Sequence, residues 1–309
     1  METLNSIECF VRTAEAGSFS EAARRLGLTS AAVGKNVAKL EAQVGVRLFH
    51  RSTRRLALTE AGQQFLGEVR GGLGAIQSAV ANLASIDGEP SGTLRVSMGT
   101  TFGLAYIVPL LQEFLQRYPR ITPDWHFDNR PVDLIAENFD AAIGGGIDIP
   151  QGVVARELGP AHRVLLASPD YLARYGPFDV PADLEGCDGI LVRSPQTGRV
   201  RPWTLRNRDG EQAPIALRQR MTMSDPEAVC RIAEMGMGVA LAGMPHALPF
   251  LESGRLMRVL PGWHVDTGML ALYFPAQRLL PAKTRAFVDF IVARFREQDF
   301  GRRFSAVSV

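Results

Sequence analysis

The segment SFSEAARRLGLTSAAVGKNVAKL, residues 18–40, limits the fold of this chain more than any other stretch, because it has the pattern of two short helices joined by a glycine. Its first serine and Glu21 have the spacing of a capping box, which closes free backbone N–H groups at a helix start. Gly27 can end the first helix, since glycine enters the left-handed region without a Cβ penalty. Thr29 or Ser30 is expected to cap the second helix. The segment therefore predicts a helix-turn-helix.

The second helix of this segment is predicted to have a buried apolar face and an exposed face of small and basic residues. The apolar side chains recur at helical spacing, at Val33, Val37, Leu40 and Val44. The exposed face carries Ser30, Ala31, Gly34, Lys35 and Lys39, and Thr29, just before it, is also expected to contact DNA. Such a helix suits insertion into the major groove of DNA. Because its first side chains are short, we expect methyl contacts and DNA shape to matter more than bidentate hydrogen bonds.

Residues 46–58 follow directly and are predicted to form a two-stranded ribbon. The strands are favoured by five apolar residues, Val46, Leu48, Phe49, Leu56 and Leu58. The turn between them holds three arginines, Arg51, Arg54 and Arg55. A ribbon beside a recognition helix can reach phosphates or the minor groove, so we interpret it as a wing; a solvated surface loop is the alternative. With Lys35 and Lys39, these arginines are expected to contact mainly phosphates, which gives DNA binding a steep salt dependence.

Positive charge is concentrated at the N-terminal end of the chain. The 309 residues carry a formal net charge of +2, whereas residues 1–58 hold nine Lys or Arg against five Glu, a net +4. A basic head on a near-neutral body is typical of nucleic-acid binding at one end, although such an excess also arises by chance. The sequence has no basic-then-apolar leader and no apolar run of bilayer length, so we expect a cytoplasmic protein.

The residue types that carry most enzyme chemistry are scattered along the chain. The five histidines lack H-x-x-x-H and H-E-x-x-H spacing, and there is no G-x-S-x-G or G-x-G-x-x-G motif. We therefore expect no enzyme, no bound metal and no cofactor. Cys9, Cys187 and Cys230 are far apart and include no C-x-x-C pair, which favours reduced structural thiols over a redox-sensing pair of Cys187 and Cys230.

Three runs in the first 65 residues carry a family resemblance, F-x-x-x-A-E-x-G-S-F-S-x-A-A-x-x-L, V-x-x-x-V-x-x-L-E and L-F-x-R-x-x-R-x-x-x-L-T-x-A-G. They resemble the N-terminus of LysR-type transcriptional regulators, whose winged helix-turn-helix domain would here cover residues 1–58. Ser30 stands where the family commonly has Gln, Gly34 where it has Ser, and Asn36 where it has Gln. We expect these differences to alter the base contacts and to leave the docking mode unchanged.

Residues 59–87 are predicted to form one long linker helix with Thr59 as its N-cap. Its apolar residues recur at intervals close to those of a coiled coil, at Ala61, Phe65, Val69, Leu73, Ile76, Val80 and Leu83. No neighbouring element in the sequence covers this stripe, so we expect a helix of a second subunit to pack on it. The resemblance likewise implies a helix that dimerises. Gly71, Gly72 and Gly74 weaken an isolated helix, so either dimer packing compensates or the helix bends there.

Residues 92–309 have the alternating strands and helices of an α/β domain, after a linker at 87–92. Helices are expected at 104–118, 132–138, 169–176, 225–235 and 282–297. The strands between them, among them separate strands at 153–159 and 163–169, favour an open, mainly parallel sheet, long enough for two lobes. The resemblance implies a periplasmic-binding-protein-like (type 2) effector-binding domain with a hinged cleft. Lobe I would then comprise about 92–162 and 267–300, and lobe II about 163–266.

Ligands of open α/β sheets bind beyond the carboxyl ends of the strands, often at helix N-termini that attract anions. The first such junction offers Gly99, Thr100, Thr101 and Phe102. Further candidates follow other strands, at Gly145, Arg193 and Ser224. Each has a structural alternative, namely a helix cap, a tight turn or a surface arginine. We expect a small anionic or aromatic effector in this cleft.

These features combine into one functional hypothesis. The chain is predicted to be a sequence-specific transcriptional regulator, a homodimer or homotetramer, whose heads bind an interrupted palindrome of double-stranded DNA and whose cleft binds an effector. The effector must bind one conformation of the protein better than another, because otherwise it cannot change the populations of the two conformations. A solute-binding protein and an architectural DNA-binding protein without effector are the alternatives. The helix-turn-helix disfavours the first, and the size of the two-lobed region disfavours the second.

Overall fold

The structure is a computed structural model that describes residues 2–50, 56–84, 89–146, 149, 151–194, 197–276 and 280–307. The chain divides into two compact units. The first comprises Met1–Gly88 with Asp133–Phe139, and the second comprises Glu89–Val132 with Asp140–Val309. Three residues predicted at the wing tip lie outside the described residues: Arg51, Arg54 and Arg55.

The first unit contains the predicted three helices, ribbon and long helix. In chain order they are α1 (Glu2–Ala16), α2 (Phe19–Leu26), α3 (Ser30–Val44), β1 (Phe49–His50), β2 (Ala57–Leu58) and α4 (Glu60–Ala84). β1 and β2 pair antiparallel, as predicted. Val33, Val37 and Leu40 lie in an apolar core with Phe10. Val44 was predicted to join them but is 40% exposed, because it is the last residue of α3, before the Gly45 cap.

The long helix α4 packs its first half on the rest of the first unit. Thr59 Oγ1 accepts the Gly62 N–H at 3.0 Å, as predicted for its N-cap. Phe65, Val69 and Leu73 pack against the core of α1–α3. This part of the stripe is therefore covered by its own head, where we had expected a second subunit. Ile76 is 45% exposed. The prediction that a helix of a second subunit packs on the stripe therefore applies to α4 from Ile76 onward.

The second unit is a mixed α/β domain. Its strands are β3 (Gly92–Met98), β4 (Ile121–Phe127), β5 (Ala141–Gly145), β6 (Val153–Ala167), β7 (Asp188–Val192), β8 (Thr204–Arg206), β9 (Gln212–Pro214), β10 (Arg218–Met223), β11 (Val239–Gly243), β12 (Met257–Val259) and β13 (Val265–Pro275). Its helices are α5 (Thr100–Phe102), α6 (Leu111–Arg117), α7 (Pro169–Tyr175), α8 (Pro226–Glu234), α9 (Met244–Glu252), α10 (Ala282–Glu297) and α11 (Phe300–Arg303). Within the described part of the chain, no helix is both long and apolar enough to cross a membrane.

The main sheet has parallel flanks and an antiparallel centre. Its order is β10-β7-β11-β6-β13-β5-β3-β4, with β12 added on β6. β3 pairs parallel with β4 and β5 on one flank, and β7 pairs parallel with β10 and β11 on the other. The prediction of a mainly parallel sheet is right for the flanks and wrong for the centre, where β6 and β13 run antiparallel to each other and to their neighbours.

Two predicted strands form one. The segments 153–159 and 163–169 belong to the single strand β6, which passes through Pro160. Proline has no N–H to donate and is tolerated in strands at irregularities. Here Pro160 lies opposite Met269, where the register between β6 and β13 shifts. The strand therefore continues, and it connects the two flanks of the sheet.

The helix predicted at 104–118 starts earlier and changes its winding. Helical structure runs from α5 through a π-helical segment, Gly103–Ile107, and a 3-10 segment, Val108–Leu110, into α6. Pro109 explains the change, because it lacks the N–H that an α-helix needs and crowds the preceding turn.

The helix predicted at 132–138 is a turn in the structure. The Asp133 carboxylate accepts the N–H groups of Ile135 and Ala136 at 3.0 and 2.9 Å. These are the bonds of a helix N-cap and favour a helical start. Asn138 then adopts a left-handed conformation, with φ 56°, which ends the turn.

Two apolar clusters cover opposite faces of β6. Val164 and Leu166 belong to the cluster that includes Phe114 and Phe287. Leu165 and Ala167 belong to a second cluster, against which Trp203 and Trp263 pack. Since side chains alternate along a strand, Arg163 shares the face of Leu165.

Candidate DNA-binding surface and effector cleft

Short-range hydrogen bonds hold the turn between α2 and α3. Ser18 Oγ accepts the Glu21 N–H at 3.4 Å, and Thr29 Oγ1 accepts the Ala32 N–H at 3.2 Å. Gly27 ends α2 with φ 64°, a conformation that glycine adopts without strain. Thr29 rather than Ser30 is therefore the cap of α3, and the helix-turn-helix is built as predicted.

The Glu21 side chain differs from the predicted capping box. Its carboxylate pairs with Arg24 and Arg25 of the same helix, at 2.8 and 2.9 Å. Hydrogen bonds from these two arginines lower the pKa of Glu21 to about 2. The carboxylate therefore stays charged and balances the two cations at the end of α2.

The front of α3 is exposed while its back is buried. Five predicted DNA-contacting residues are exposed: Thr29, Ser30, Ala31, Lys35 and Lys39. Gly34 is half-buried, and a Cβ added there would meet nothing within 4 Å. Ser30 Oγ donates to Ser20 Oγ at 3.3 Å, so part of its polar capacity is used inside the head. Asn36 turns away from this front and donates to Cys9 Sγ at 3.4 Å.

Glu41 anchors the ribbon, a role that the sequence prediction missed. Its Oε1 accepts the N–H groups of Leu48 and Phe49 at 2.8 and 3.2 Å, and its Oε2 pairs with Arg47 at 3.4 Å. Thr59 Oγ1 donates to the Arg47 carbonyl at 2.7 Å. These bonds fix where the ribbon leaves α3. The glutamate that closes the run V-x-x-x-V-x-x-L-E was the available signal.

In the second unit, the carboxyl end of β3 meets that of β4. A Cβ added at Gly99 would lie 3.1 Å from Asn129 Oδ1, so glycine permits this close approach. Thr100 and Thr101 follow in α5 and are half-buried. Gly99 therefore lies beside Asn129, a residue that no sequence pattern indicated, and Thr100 and Thr101 follow Gly99 directly.

Phe102 requires a correction. We had expected it to contact the effector, but its ring is only 6% exposed and belongs to the core. Its centroid lies 5.1 Å from that of Tyr106 and 6.1 Å from that of Phe295. The helical spacing that places Thr100 and Thr101 at the strand end turns the next side chain inward.

A hydrogen bond joins the end of β4 to the start of α8. Asn129 Nδ2 donates to Asp225 Oδ2 at 2.9 Å, while Asp225 Oδ1 accepts the Ala228 N–H at 3.0 Å as the helix cap. Asp225, and not Ser224, is therefore the N-cap of α8. Ser224 is exposed next to it. This bond connects the two flanks of the sheet.

Arg193 and Gly145 lie at the ends of other strands. Arg193 is exposed after β7, and its N–H donates to the Met223 carbonyl at 2.7 Å. Backbone pairing thus brings Arg193 close to Ser224. Gly145 is exposed at the end of β5, where an added Cβ would lie 3.3 Å from that of Ala161.

The centre of the sheet contributes residues that the prediction missed. Arg163 of β6 pairs with Gly243, the residue before α9. In α9, burial and the charge of Arg163 lower the pKa of His246 to about 4, while Asp225 opposes them. His246 is therefore neutral at pH 7 and is influenced by both charges. An arginine inside an apolar strand, and a histidine just after one, were the available signals.

Histidine, cysteine and acidic side chains are the candidate metal ligands of this chain, and its cysteines are the candidate reactive thiols. Among the described residues, no group of His, Cys, Asp and Glu side chains is arranged to hold a metal ion. Burial raises the pKa of Cys230 to about 12 and also raises that of Cys187. Both are thiols rather than thiolates at neutral pH, which favours the structural interpretation over redox sensing.

Two family models match the chain, in the order of its two units. A bacterial regulatory helix-turn-helix model of the lysR family matches residues 4–63, and a LysR substrate binding domain model matches residues 87–296. This chain belongs to the LysR family. It is a LysR-type transcriptional regulator with an N-terminal helix-turn-helix and an effector-binding domain, as the resemblance implied.

Relatives of this LysR-type regulator match it along nearly its whole length. An HTH-type transcriptional regulator of Xanthomonas campestris pv. campestris (strain 8004) is 35% identical over 292 residues, which cover 94% of this chain and 85% of that protein. The regulator PtxR of Pseudomonas aeruginosa is 31% identical over 298 residues, 96% of this chain and 94% of that protein. The structure of CrgA, a LysR-type regulator from Neisseria meningitidis, aligns with a TM-score of 0.57 at 27% identity, over 96% of this chain and 98% of that one.

Proposed function

We propose that this LysR-type regulator binds an interrupted DNA palindrome as a homodimer or homotetramer, under the control of a small effector in the cleft of its second unit. The observation that carries the DNA-binding part is the asymmetry of α3. Its back is buried at Val33, Val37 and Leu40, while Lys35 is exposed on its front. A basic helix supported in this way, with a ribbon following it, fits a major groove.

The effector part of the proposal is supported by the ends of the parallel strands. Gly99, Thr100 and Thr101 on one flank and Ser224 on the other leave backbone and hydroxyl groups near the Asn129–Asp225 hydrogen bond. A ligand that binds one arrangement of the flanks better than another shifts the population toward it. We infer a small anionic or aromatic molecule, and we assign no enzymatic reaction. Because the target is DNA, we place the protein in the cytoplasm.

The DNA-binding proposal is tested by removing charge from α3. In the variant Lys35→Ala/Lys39→Ala, affinity for the duplex that the parent protein selects from a random pool should fall at least about tenfold at physiological salt. Because each lysine contributes about one phosphate contact, the slope of log affinity against log salt should become about 2 units shallower. Fluorescence anisotropy at several salt concentrations measures both quantities.

The matched control is Arg174→Ala/Arg220→Ala, which removes two exposed cations from the second unit. This variant should keep the affinity and the salt slope of the parent protein. Equal losses in the two double variants would mean that only net charge matters, and would contradict a specific role of α3.

A further inference from the structure

Two arginines of the second unit lie over the same tryptophan ring. The Cζ atoms of Arg163 and Arg201 are each 4.7 Å from the ring centroid of Trp203. Among the described residues, neither guanidinium forms an ion pair with an acidic side chain. Burial and the charge of Arg201 lower the pKa of Arg163. Two cations are therefore held together without a neutralising anion from the described part of the protein.

This pair is continuous with the candidate effector cleft. Arg163 pairs with Gly243, the residue before α9, and a Cβ added at Gly243 would lie 3.7 Å from Cδ2 of His246. Asp225 acts on the same histidine and binds Asn129. The Nδ1 atom of His246 is buried and has no hydrogen-bond partner among the described residues. A chain of neighbouring groups thus leads from the strand ends to the two arginines.

The chemistry of this cluster fits an oxyanion. A guanidinium stays protonated at neutral pH and presents N–H donors in a planar fork that matches a carboxylate or a phosphate. Stacking on an indole ring holds the guanidinium in place and leaves its N–H edge available for bonding. A half-buried cation without a counter-charge is costly, so an anion that pairs with it gains affinity. A metal cation would be repelled by both arginines.

We propose that Arg163, supported by Arg201 on Trp203 and by Nδ1 of His246, forms an oxyanion subsite that binds a carboxylate or phosphate group of a small ligand. This subsite would be the part of the proposed effector site that binds an anionic group. Anion binding itself does not rest on the proposed function; only an effect of the bound anion on DNA affinity does. Arg163 supplies the bidentate contact. Arg201 adds positive charge, and His246 adds a ring nitrogen that can bond the ligand.

Trp203 makes the subsite measurable in the full-length chain. The chain has three tryptophans, so Trp125→Phe/Trp263→Phe leaves Trp203 as the only one. We titrate this variant with succinate or with inorganic phosphate, at a constant ionic strength set with KCl. We expect at least one of the two anions to change the Trp203 fluorescence emission saturably. Comparison of the two titrations shows whether the subsite prefers a carboxylate or a phosphate. Succinamide, the neutral analogue of succinate, should have no effect.

Substitution of Arg163 in the same background tests the assignment. Arg163→Gln should raise the dissociation constant at least about tenfold, and Arg163→Lys should have an intermediate effect because it keeps the charge and loses the fork. Arg201→Gln, at an exposed position, should weaken binding less than Arg163→Gln, and it serves as the test if Arg163→Gln fails to fold. Arg174→Gln, an exposed arginine on α7, should leave the titration unchanged.

Several outcomes would overturn the subsite. If neither anion changes the emission, or if the arginine variants bind like the parent protein, the two arginines only stack on Trp203. A response to KCl alone would show non-specific screening. The titration contains no DNA, so its result does not depend on DNA affinity. If an anion binds saturably and Arg163→Gln weakens that binding, the subsite is supported. An anion that binds there without changing DNA affinity would contradict the effector part of the proposed function instead.

Discussion

Gly62, near the start of α4, lies against the backbone that leads into the ribbon. A Cβ at this position would lie 2.1 Å from the Leu48 carbonyl oxygen and 2.9 Å from its carbon. Gly62→Ala should therefore destabilise the first unit, since overpacking costs about 1–3 kcal/mol and exceeds the gain in helix propensity of about 1 kcal/mol. Urea unfolding followed by far-UV circular dichroism measures the change.

Gly67→Ala is the matched control in the same helix. A Cβ at Gly67 would meet nothing within 4 Å, so this variant should gain up to about 1 kcal/mol from helix propensity. The two substitutions are chemically identical, and their opposite signs would isolate the contact with Leu48. Equal stability of the two variants would contradict the packing argument.

At the scale of single residues, the sequence predicts contacts between near neighbours and misses distant ones. The cap bonds of Ser18 and Thr29 join groups three residues apart, and a local pattern contains both partners. The bond from Asn129 to Asp225 joins residues 96 positions apart. It depends on the order of strands in the sheet, which no local pattern specifies, and the same is true of Arg163 with Trp203.

Among the elements, the ribbon depends on one carboxylate of α3. Glu41→Ala would leave the N–H groups of Leu48 and Phe49, now bound at 2.8 and 3.2 Å, without their partner. Lost bonds of this kind cost about 1–3 kcal/mol when the donors stay buried. We expect lower stability of the first unit and weaker DNA binding, because the ribbon is no longer held at the end of α3.

Glu21→Ala is the comparison for this element. Its carboxylate pairs with exposed arginines of its own helix, so its removal should change stability and DNA binding much less than Glu41→Ala. Unfolding curves and anisotropy titrations on the two variants, side by side, decide the point. An equal effect would mean that the charge of the head matters and that the ribbon is held by other contacts.

Elements with a strong periodic pattern were predicted well. The closing helix was predicted at 282–297, which are the bounds of α10, because its apolar residues recur at helical spacing. The segment 132–138 has a similar pattern, but the left-handed conformation of Asn138 ends it after a single turn. The strand β6 was divided in two because Pro160 suggests a break, and only its partner β13 explains why it continues.

For the whole molecule, buried histidines predict a loss of stability in acid. Burial lowers the pKa of His246 and of His264 to about 4, and it also lowers that of His162. In the unfolded chain these groups titrate near 6.5. Between pH 6.5 and 4 the unfolded state therefore binds more protons, so the free energy of unfolding should decrease as the pH falls through this range. His162 Nδ1 also accepts the Ala306 N–H at 2.9 Å, a bond that protonation removes.

Tryptophan fluorescence can follow this transition, since Trp125, Trp203 and Trp263 all belong to the second unit. Urea titrations between pH 7 and 5 should give a falling free energy of unfolding. In His246→Gln the free energy of unfolding should depend less steeply on pH, because up to about one proton fewer is taken up on unfolding. A free energy that does not change with pH, or a variant with the parent slope, would contradict the prediction.

The molecule as a whole shows which parts of the organisation a sequence can predict. The two family domains and the α/β class followed from residue patterns and from the resemblance, and the matches at residues 4–63 and 87–296 confirm the family. The antiparallel centre of the sheet did not follow, because β6 and β13 are distant in sequence and their pairing is a tertiary property. The boundaries of the two lobes stay a prediction.

The long central strands also determine the order in which the chain can fold. β5 pairs with β13, more than 100 residues later in the sequence, and the other flank reaches the centre through β6, which pairs with the same strand. The two flanks are not joined into one sheet until β13 has left the ribosome, and such distant pairings form slowly. The core of α1–α3 needs only residues 9–73. The DNA-binding head can therefore fold during synthesis, well before the domain that regulates it.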